Sequence, residues 1–536
     1  MNENNIFNRN RLGFFGILIP FLLFIFLSSC RSGNGGGLIN SIFSNEIDTD
    51  KFKEAIEKDS LLKSDDTTNL LVKAINELYQ DNGYKPLWMD GYKISEKGKK
   101  AIKAIHDLEF DGLNPEHYQL QQLQKDSSSS KDNEEFAINF ELLLTYNIAK
   151  ASKDLLFGII KPKDVDQEWH IPNDSNFTLK SILSLDSLND KNIFDSFRPE
   201  NPRYALMRKE IKKWIELKSD SDYISIKEQL KSGDSNIISS VIHKEIYNSA
   251  SDTDLIKSYQ YLNHLSTTGK INDELFQILS RSPDYYIDLL KINMERLRWI
   301  HQEFDSQYIW VSIPQAEVDY YKDGKNLFHN RAVVGAKSTR TPSIFHPLEN
   351  IVFCPPWGVP LSIVKNEYGG RIPSKYEVFK GGKRVPNSMV NASNYRQFSV
   401  RQPPGPAAAL GYVKFNLPNK WDIYLHDTPG RYVFGNKLRY ISHGCVRIKN
   451  PRDLAALILE DKGIGIDSIN TMIRKNKTKF INTDKINVYL VYTTTNSDST
   501  NNNILYLNDP YKKDAILKEQ FVAALRYNIN IAQSKQ

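Results

Sequence analysis

The chain is expected to be a multidomain α+β protein, a helical scaffold followed by a β-rich domain of the mixed β-sandwich kind. Three observations predict it. At 536 residues the chain is too long for one hydrophobic core, so two to four domains are expected. Up to about residue 300, apolar residues recur at spacings of three and four, the period of an amphipathic helix. Beyond Tyr308 they give way to short strand-like runs separated by turn residues. The composition is 40% hydrophobic and 11% aromatic, enough to fill several cores. The net charge of +6 is mild and no Lys/Arg cluster stands out, so no nucleic-acid partner is expected.

At the N-terminus, Arg9 and Arg11 precede an uncharged apolar run over residues 12–27, then Ser28, Ser29 and Cys30. A basic start, an apolar centre and small residues make an export signal, here residues 1–29. The run is short for a membrane span, which needs about 20 residues. The ending Leu27-Ser28-Ser29-Cys30 resembles the lipobox of bacterial lipoproteins, which implies that Cys30 is lipidated and becomes the mature N-terminus. An uncleaved anchor is the alternative. Either places the remainder outside the cytoplasm, in the cell envelope on the periplasmic side, held at the inner or outer membrane. Residues 30–66 then form a tether, opening on a Ser/Gly/Asn-rich stretch.

Residues 67–204 are expected to be the helical scaffold domain. Leu70, Leu71, Ala74, Ile75 and Leu78 form one stripe, ended by Asn82-Gly83. Ala101, Ile102, Ile105 and Leu108 form another, ended by Asp111-Gly112-Leu113-Asn114-Pro115. A further helical segment is expected over 205–285 and a connecting helix over 286–307, through Ile287, Leu290, Ile292 and Leu297. The β-rich domain spans 308–475. It holds a hairpin around Asp323-Gly324 and strands near 351–354, 413–415 and 423–425. Within it, about 361–406 is a long loop rich in Gly, Pro, Asn and Arg, either a substrate-capping lid or a disordered insertion. Strands near 488–492 and a tail complete 476–536.

Chemistry concentrates in Tyr424-Leu-His-Asp-Thr-Pro-Gly430 and Ile441-Ser-His-Gly-Cys-Val-Arg447. With Cys30 lipidated, only Cys354 and Cys445 remain, so a free reactive thiol is expected rather than a disulfide framework. Cys354 sits in an apolar run and reads as a core residue. A cysteine nucleophile needs a base or a positive surrounding, because a free thiol titrates near 8.5. His426, 19 residues before Cys445, and His443, two before it, are both candidates. Gly444 allows close backbone approach, so its N–H and that of Cys445 could form an oxyanion hole. The ten histidines are scattered and no CxxC, HExxH or Gly-rich phosphate loop occurs, so no metal or cofactor is expected.

His-Asp-Thr paired with Ser-His-Gly-Cys-Val-Arg resembles the signature of L,D-transpeptidases of the YkuD type, above all the large branch that carries an N-terminal scaffold. Arg331-Ala-Val-Val-Gly335 with Thr341-Pro342, Gly405-Pro406, Leu410-Gly411 and Val413-Lys-Phe415 are similar to flanking segments of that family. So is Phe353-Cys-Pro-Pro-Trp-Gly-Val-Pro360, although the family commonly has Asn-Pro-Tyr where Cys354-Pro355-Pro356 stand. The likeness runs from about residue 308 to 511. It is weaker at 84–88 and 111–115, and 255–279 resembles a degenerate peptidoglycan-binding repeat.

The resemblance implies a YkuD-like catalytic fold with Cys445 as nucleophile and His426 as base. His443, Gly444 and Ser442 would shape the oxyanion site, Tyr424 would line the substrate, and Arg447 would organise the pocket or bind a substrate carboxylate. The implied partners are peptidoglycan stem peptides, donor and acceptor, and carbapenem-type inhibitors. The implied reaction is 3–3 crosslinking through a thioester with release of D-alanine. An L,D-carboxypeptidase would use the same residues with water as acceptor. A catalytically silent peptidoglycan-binding scaffold is the non-enzymatic alternative. NlpC-like peptidases fit less well, since they place Cys before His.

Overall fold

The computed structural model describes residues 46–58, 66–172, 176–187, 192–246, 252–300, 305–498 and 503–534. The apolar run at 12–27, Cys30 and the Ser/Gly/Asn-rich start of the tether lie outside the described residues. Among the described residues, no helix is long and apolar enough to cross a membrane. The later part of the expected tether is not a linker throughout. Thr49–Lys58 is a helix whose Phe52 and Ile56, four residues apart, are buried in the first helical core.

That core is built by Asp66–Asp81, Glu96–His106 and Glu134–Phe157, the helices whose apolar stripes the spacing predicts. Ser95 and Asn133 start the last two by accepting the N–H of Gly98 and Phe136. Buried Glu141 accepts the Tyr79 hydroxyl at 2.6 Å and the N–H groups of Leu87 and Trp88 at 2.6 and 2.9 Å. Burial pushes its pKa up to about 7 against those hydrogen bonds. They tie the irregular 85–88 segment to the long helix.

The helical and β-rich parts share a second core. Trp169, Trp214 and Trp299 pack with Trp310, Tyr489 and Tyr506 from the strands. One helix, Pro202–Ser219, runs through the boundary expected at 204/205, and the connecting helix is Pro283–Arg298. A buried ionic network joins them. The Asp111 carboxylate takes Arg198 at 2.9 Å and Arg208 at 2.8 Å, and its backbone carbonyl accepts from Arg298. Arg298 pairs with Glu295 at 2.9 Å, and Glu295 also accepts the N–H groups of Ile159 and Ile160.

The β-rich domain is one large mixed sheet. From one edge its order is Lys479–Asn482, Asn350–Phe353, Val413–Asn416, Leu425–His426, Val446–Ile448, Lys325–Gly335, Glu317–Lys322, Gln307–Ser312, Asn487–Val491 and Ser343–Pro347. Trp169–His170, from the helical part, then pairs with Ser343–Pro347, so the scaffold covers that edge. The expected hairpin turns on Asp323 and Gly324 at φ 51° and 75°, the two positive values a type I′ turn requires.

Two expectations are corrected. The 361–406 stretch is neither a plain loop nor a disordered insertion. It contains the helix Leu361–Asn366 and the strands Glu377–Lys380, Lys383–Val385 and Ser399–Gln402, which form a second sheet with Trp357–Gly358. Val359, Val364, Val378, Phe398 and Val400 give it a core of its own. The C-terminal tail ends in a helix, Asp514–Ser534, whose Leu517 and Phe521 are buried in the two helical cores.

Candidate active site

Three neighbouring strands bring the site together. Leu425–His426 pairs in parallel with Val446–Ile448, setting His426 opposite Arg447. It pairs antiparallel with Val413–Asn416, setting Lys414 opposite His426. Lys414, His426 and Arg447 therefore form one row on one face of the sheet. Tyr424 and Cys445 stand two residues before His426 and Arg447, and Val446 N–H donates to the Tyr424 carbonyl at 3.1 Å. The Tyr424 ring lies 5.7 Å from the His426 ring, and the Lys414 ammonium 4.1 Å from the Tyr424 ring centre.

The half-buried Cys445 Sγ contacts the Asp422 carbonyl at 3.4 Å. The hydroxyl and backbone N–H of Tyr424 also face it, and the Trp357 indole faces that hydroxyl. Burial pushes the thiol up, opposed by the Tyr424 groups and by the positive charges of Lys414 and Arg447. His426 is buried, with Nδ1 2.5 Å from the Asp427 carbonyl. A carbonyl can only accept, so Nδ1 carries the ring proton and Nε2 keeps its lone pair. Burial, then Arg447, then Lys414 push His426 down to about 3, against the carbonyls of Asp427 and Leu410. The resting pair is a neutral thiol and a neutral imidazole.

Residues 306–479 match the family of the L,D-transpeptidase catalytic domain, YkuD. The chain carries a YkuD domain. Residues 73–211, upstream of it, match the Scaffold domain family. A curated Haemophilus influenzae protein assigned as an L,D-transpeptidase is 34% identical over 238 residues, 42% of this chain and 48% of that protein. The chain thus spans about half the length of that relative. Among solved structures, the Enterococcus faecium L,D-transpeptidase C442S mutant is similar at 13% identity, over 46% of this chain and 86% of that one, with TM-score 0.19. The Ldtfm–avibactam carbamoyl enzyme is similar at 14% identity, over 36% and 51%, with TM-score 0.18. Likenesses of that size carry no structural argument.

Within the YkuD domain the expected site residues separate into two groups. Cys445, Tyr424, His426 and Arg447 converge, although no hydrogen bond between described residues joins His426 to Cys445. The oxyanion expectation changes. Gly444, at φ 118°, directs its N–H to the buried Ser442 hydroxyl at 3.1 Å, and that hydroxyl donates to the Cys445 carbonyl at 2.6 Å. Ser442 and the Gly444 N–H are consumed in shaping the turn, while the Cys445 N–H has no acceptor among the described residues. Thr339 and Thr341 hold the same turn from the side, donating to the Ser442 and Gly444 carbonyls at 2.8 and 2.7 Å.

His443 is exposed and lies 2.8 Å from Glu367, next to the Leu361–Asn366 helix of the second sheet's subdomain. It bridges that subdomain to the cysteine turn rather than meeting the thiol. Lys414 escaped the sequence reading, since nothing marks one cation among 70 Lys and Arg until the strand register places it. Cys354 is buried as expected, its thiol pushed up by burial.

Proposed function

We propose that this protein is a peptidoglycan L,D-transpeptidase that forms 3–3 crosslinks through a Cys445 thioester. The observation that supports it most is the single-faced row of Lys414, His426 and Arg447 beside Cys445 in a YkuD domain. His426 Nε2 takes the thiol proton as Sγ attacks the carbonyl carbon between the third residue and the terminal D-alanine of a donor tetrapeptide. The Cys445 N–H is the donor left for the oxyanion. Collapse breaks the C–N bond, and the imidazolium returns its proton to the departing D-alanine amine. An amine of a second stem peptide then attacks the thioester and gives its proton to His426 Nε2. The C–S bond breaks, leaving the new amide, and the departing thiolate takes the proton back from the imidazolium. Carbapenem-type β-lactams, whose strained carbonyl presents the same electrophile, are expected inhibitors.

Cys445→Ala is expected to lower D-alanine release and dimer formation at least about 10⁴-fold, read by chromatography of disaccharide-tetrapeptide digests. D-alanine release without dimers would favour the carboxypeptidase. Folded wild-type protein that yields neither product, with wall binding unchanged by the substitution, would favour the silent scaffold. Cys30 is proposed as the lipidated residue that holds the chain at an envelope membrane, on the periplasmic side. Cys30→Ala should move the protein from the membrane to the soluble fraction, and an unchanged distribution would contradict the anchor.

A further inference from the structure

Lys414 and Arg447 flank His426 on adjacent strands, and no carboxylate lies within ion-pairing distance of either among the described residues. Both are half-buried. Other interior cations are held by protein partners, Arg198 by Asp111 at 2.9 Å and Arg298 by Glu295 at 2.9 Å, or, for Arg203, by Asn496 at 2.7 Å and the Tyr321 hydroxyl at 3.1 Å. Partly buried charge without a counter-ion is costly, and a ligand's negative group placed between two such cations would offset that cost. The groups whose negative charge acts on Lys414 are Cys445 first and then Asp422, whose carboxylate stays beyond ion-pair range. The Lys414 ammonium rests 4.1 Å from the centre of the Tyr424 ring, whose hydroxyl faces the Cys445 thiol. The two charges thus border the position where the scissile bond must lie.

We propose that Lys414, with Arg447, forms a carboxylate-binding subsite beside Cys445, and that Lys414 seats a carboxylate of the acyl donor next to the scissile bond. The inference rests on the transpeptidase reading and deepens it. Two carboxylates of a stem peptide have the required chemistry: that of the terminal D-alanine, and a side-chain carboxylate on the third residue. Their consequences differ. A terminal carboxylate departs with the leaving group and vacates the subsite for the acceptor, whereas a side-chain carboxylate stays through both steps.

The test is calorimetric binding to the full chain in a Cys445→Ala background, with and without Lys414→Met. The ligands are a disaccharide-tetrapeptide as free acid, its C-terminal amide, and its third-residue side-chain amide. Lys414→Met is expected to weaken the free acid by about 10- to 100-fold. It should leave unchanged the affinity of whichever amide lacks the recognised carboxylate, and that amide identifies the source. Lys414→Arg, which keeps the charge, should retain most of the preference. Equal weakening of all three ligands by Lys414→Met, or none, would overturn the proposal, as would a Lys414→Arg loss as large as that of Lys414→Met. If native protein released no D-alanine while this pattern held, the transpeptidase reading would fall and the subsite would stand. Turnover with Lys414→Met indifferent would give the reverse.

Discussion

His426→Ala is expected to slow acylation of Cys445 by about 10²–10⁴-fold at neutral pH, the usual worth of a positioned general base. The reason lies in the resting protonation states. Burial holds the thiol above its ordinary range, and burial with two flanking cations holds the imidazole down to about 3. A preformed thiolate–imidazolium pair is therefore disfavoured, and the proton must leave as sulfur attacks. Without Nε2, only water remains to take it. Alkylation of the free enzyme by iodoacetamide should accordingly keep rising with pH beyond the ordinary thiol range. A plateau already reached below pH 7 would contradict this. His443→Ala should cost far less, since its ring is engaged by Glu367. Equal losses in the two variants would undo the assignment.

The same histidine gives a stability prediction with a definite sign. Its folded-state pKa of about 3 lies below the ordinary 6.5. Burying it neutral is therefore favourable above about pH 6.5, and that contribution is lost as pH falls toward 3, where the unfolded chain binds the proton first.

Asp111→Ala should destabilise the protein by about 3–5 kcal/mol, because removing one partner of a buried ionic network strands the others. Asp111 is fully buried and its carboxylate neutralises Arg198 and Arg208. Its loss leaves Arg208 without an anion and Arg198 with only the more exposed Asp195 at 2.5 Å. Arg198, Arg208 and Arg298 come from three separate segments, so the damage reaches the seam between scaffold and sheet. Urea unfolding followed by tryptophan fluorescence reads it directly, since Trp169 and Trp299 lie in the core that both parts share. A midpoint indistinguishable from that of the native protein would show that the network contributes nothing net.

Asp111 also shows what sequence can and cannot convey. Asp111-Gly112-Leu113-Asn114-Pro115 reads correctly as the end of a helix, because turn chemistry is local. That Asp111 is an ionic hub depends on Arg198 and Arg208, some 90 residues away, which no local pattern reveals. The hairpin at Asp323-Gly324 was legible for the same local reason. The 361–406 subdomain was not, since strands of three and four residues carry too little alternation to stand out from their glycines and prolines.

At the site, the order His426 then Cys445 and the motif around them are local, and the fold sets both motifs on neighbouring strands. Lys414 became visible only when register set it opposite His426. The engagement of the Gly444 N–H is not legible in the sequence, because its acceptor, the Ser442 hydroxyl, lies in the same turn and only the fold shows its direction.

Cys445 is proposed as the acyl-carrying nucleophile. The most direct test of that role is intact-mass spectrometry of the folded protein after incubation with disaccharide-tetrapeptides and, separately, with a carbapenem, beside the Cys445→Ala variant. A covalent adduct on Cys445 is expected in the native protein alone, with a muropeptide dimer lacking one D-alanine. An adduct of the same size on the alanine variant, or neither adduct nor product from the native protein, would contradict it.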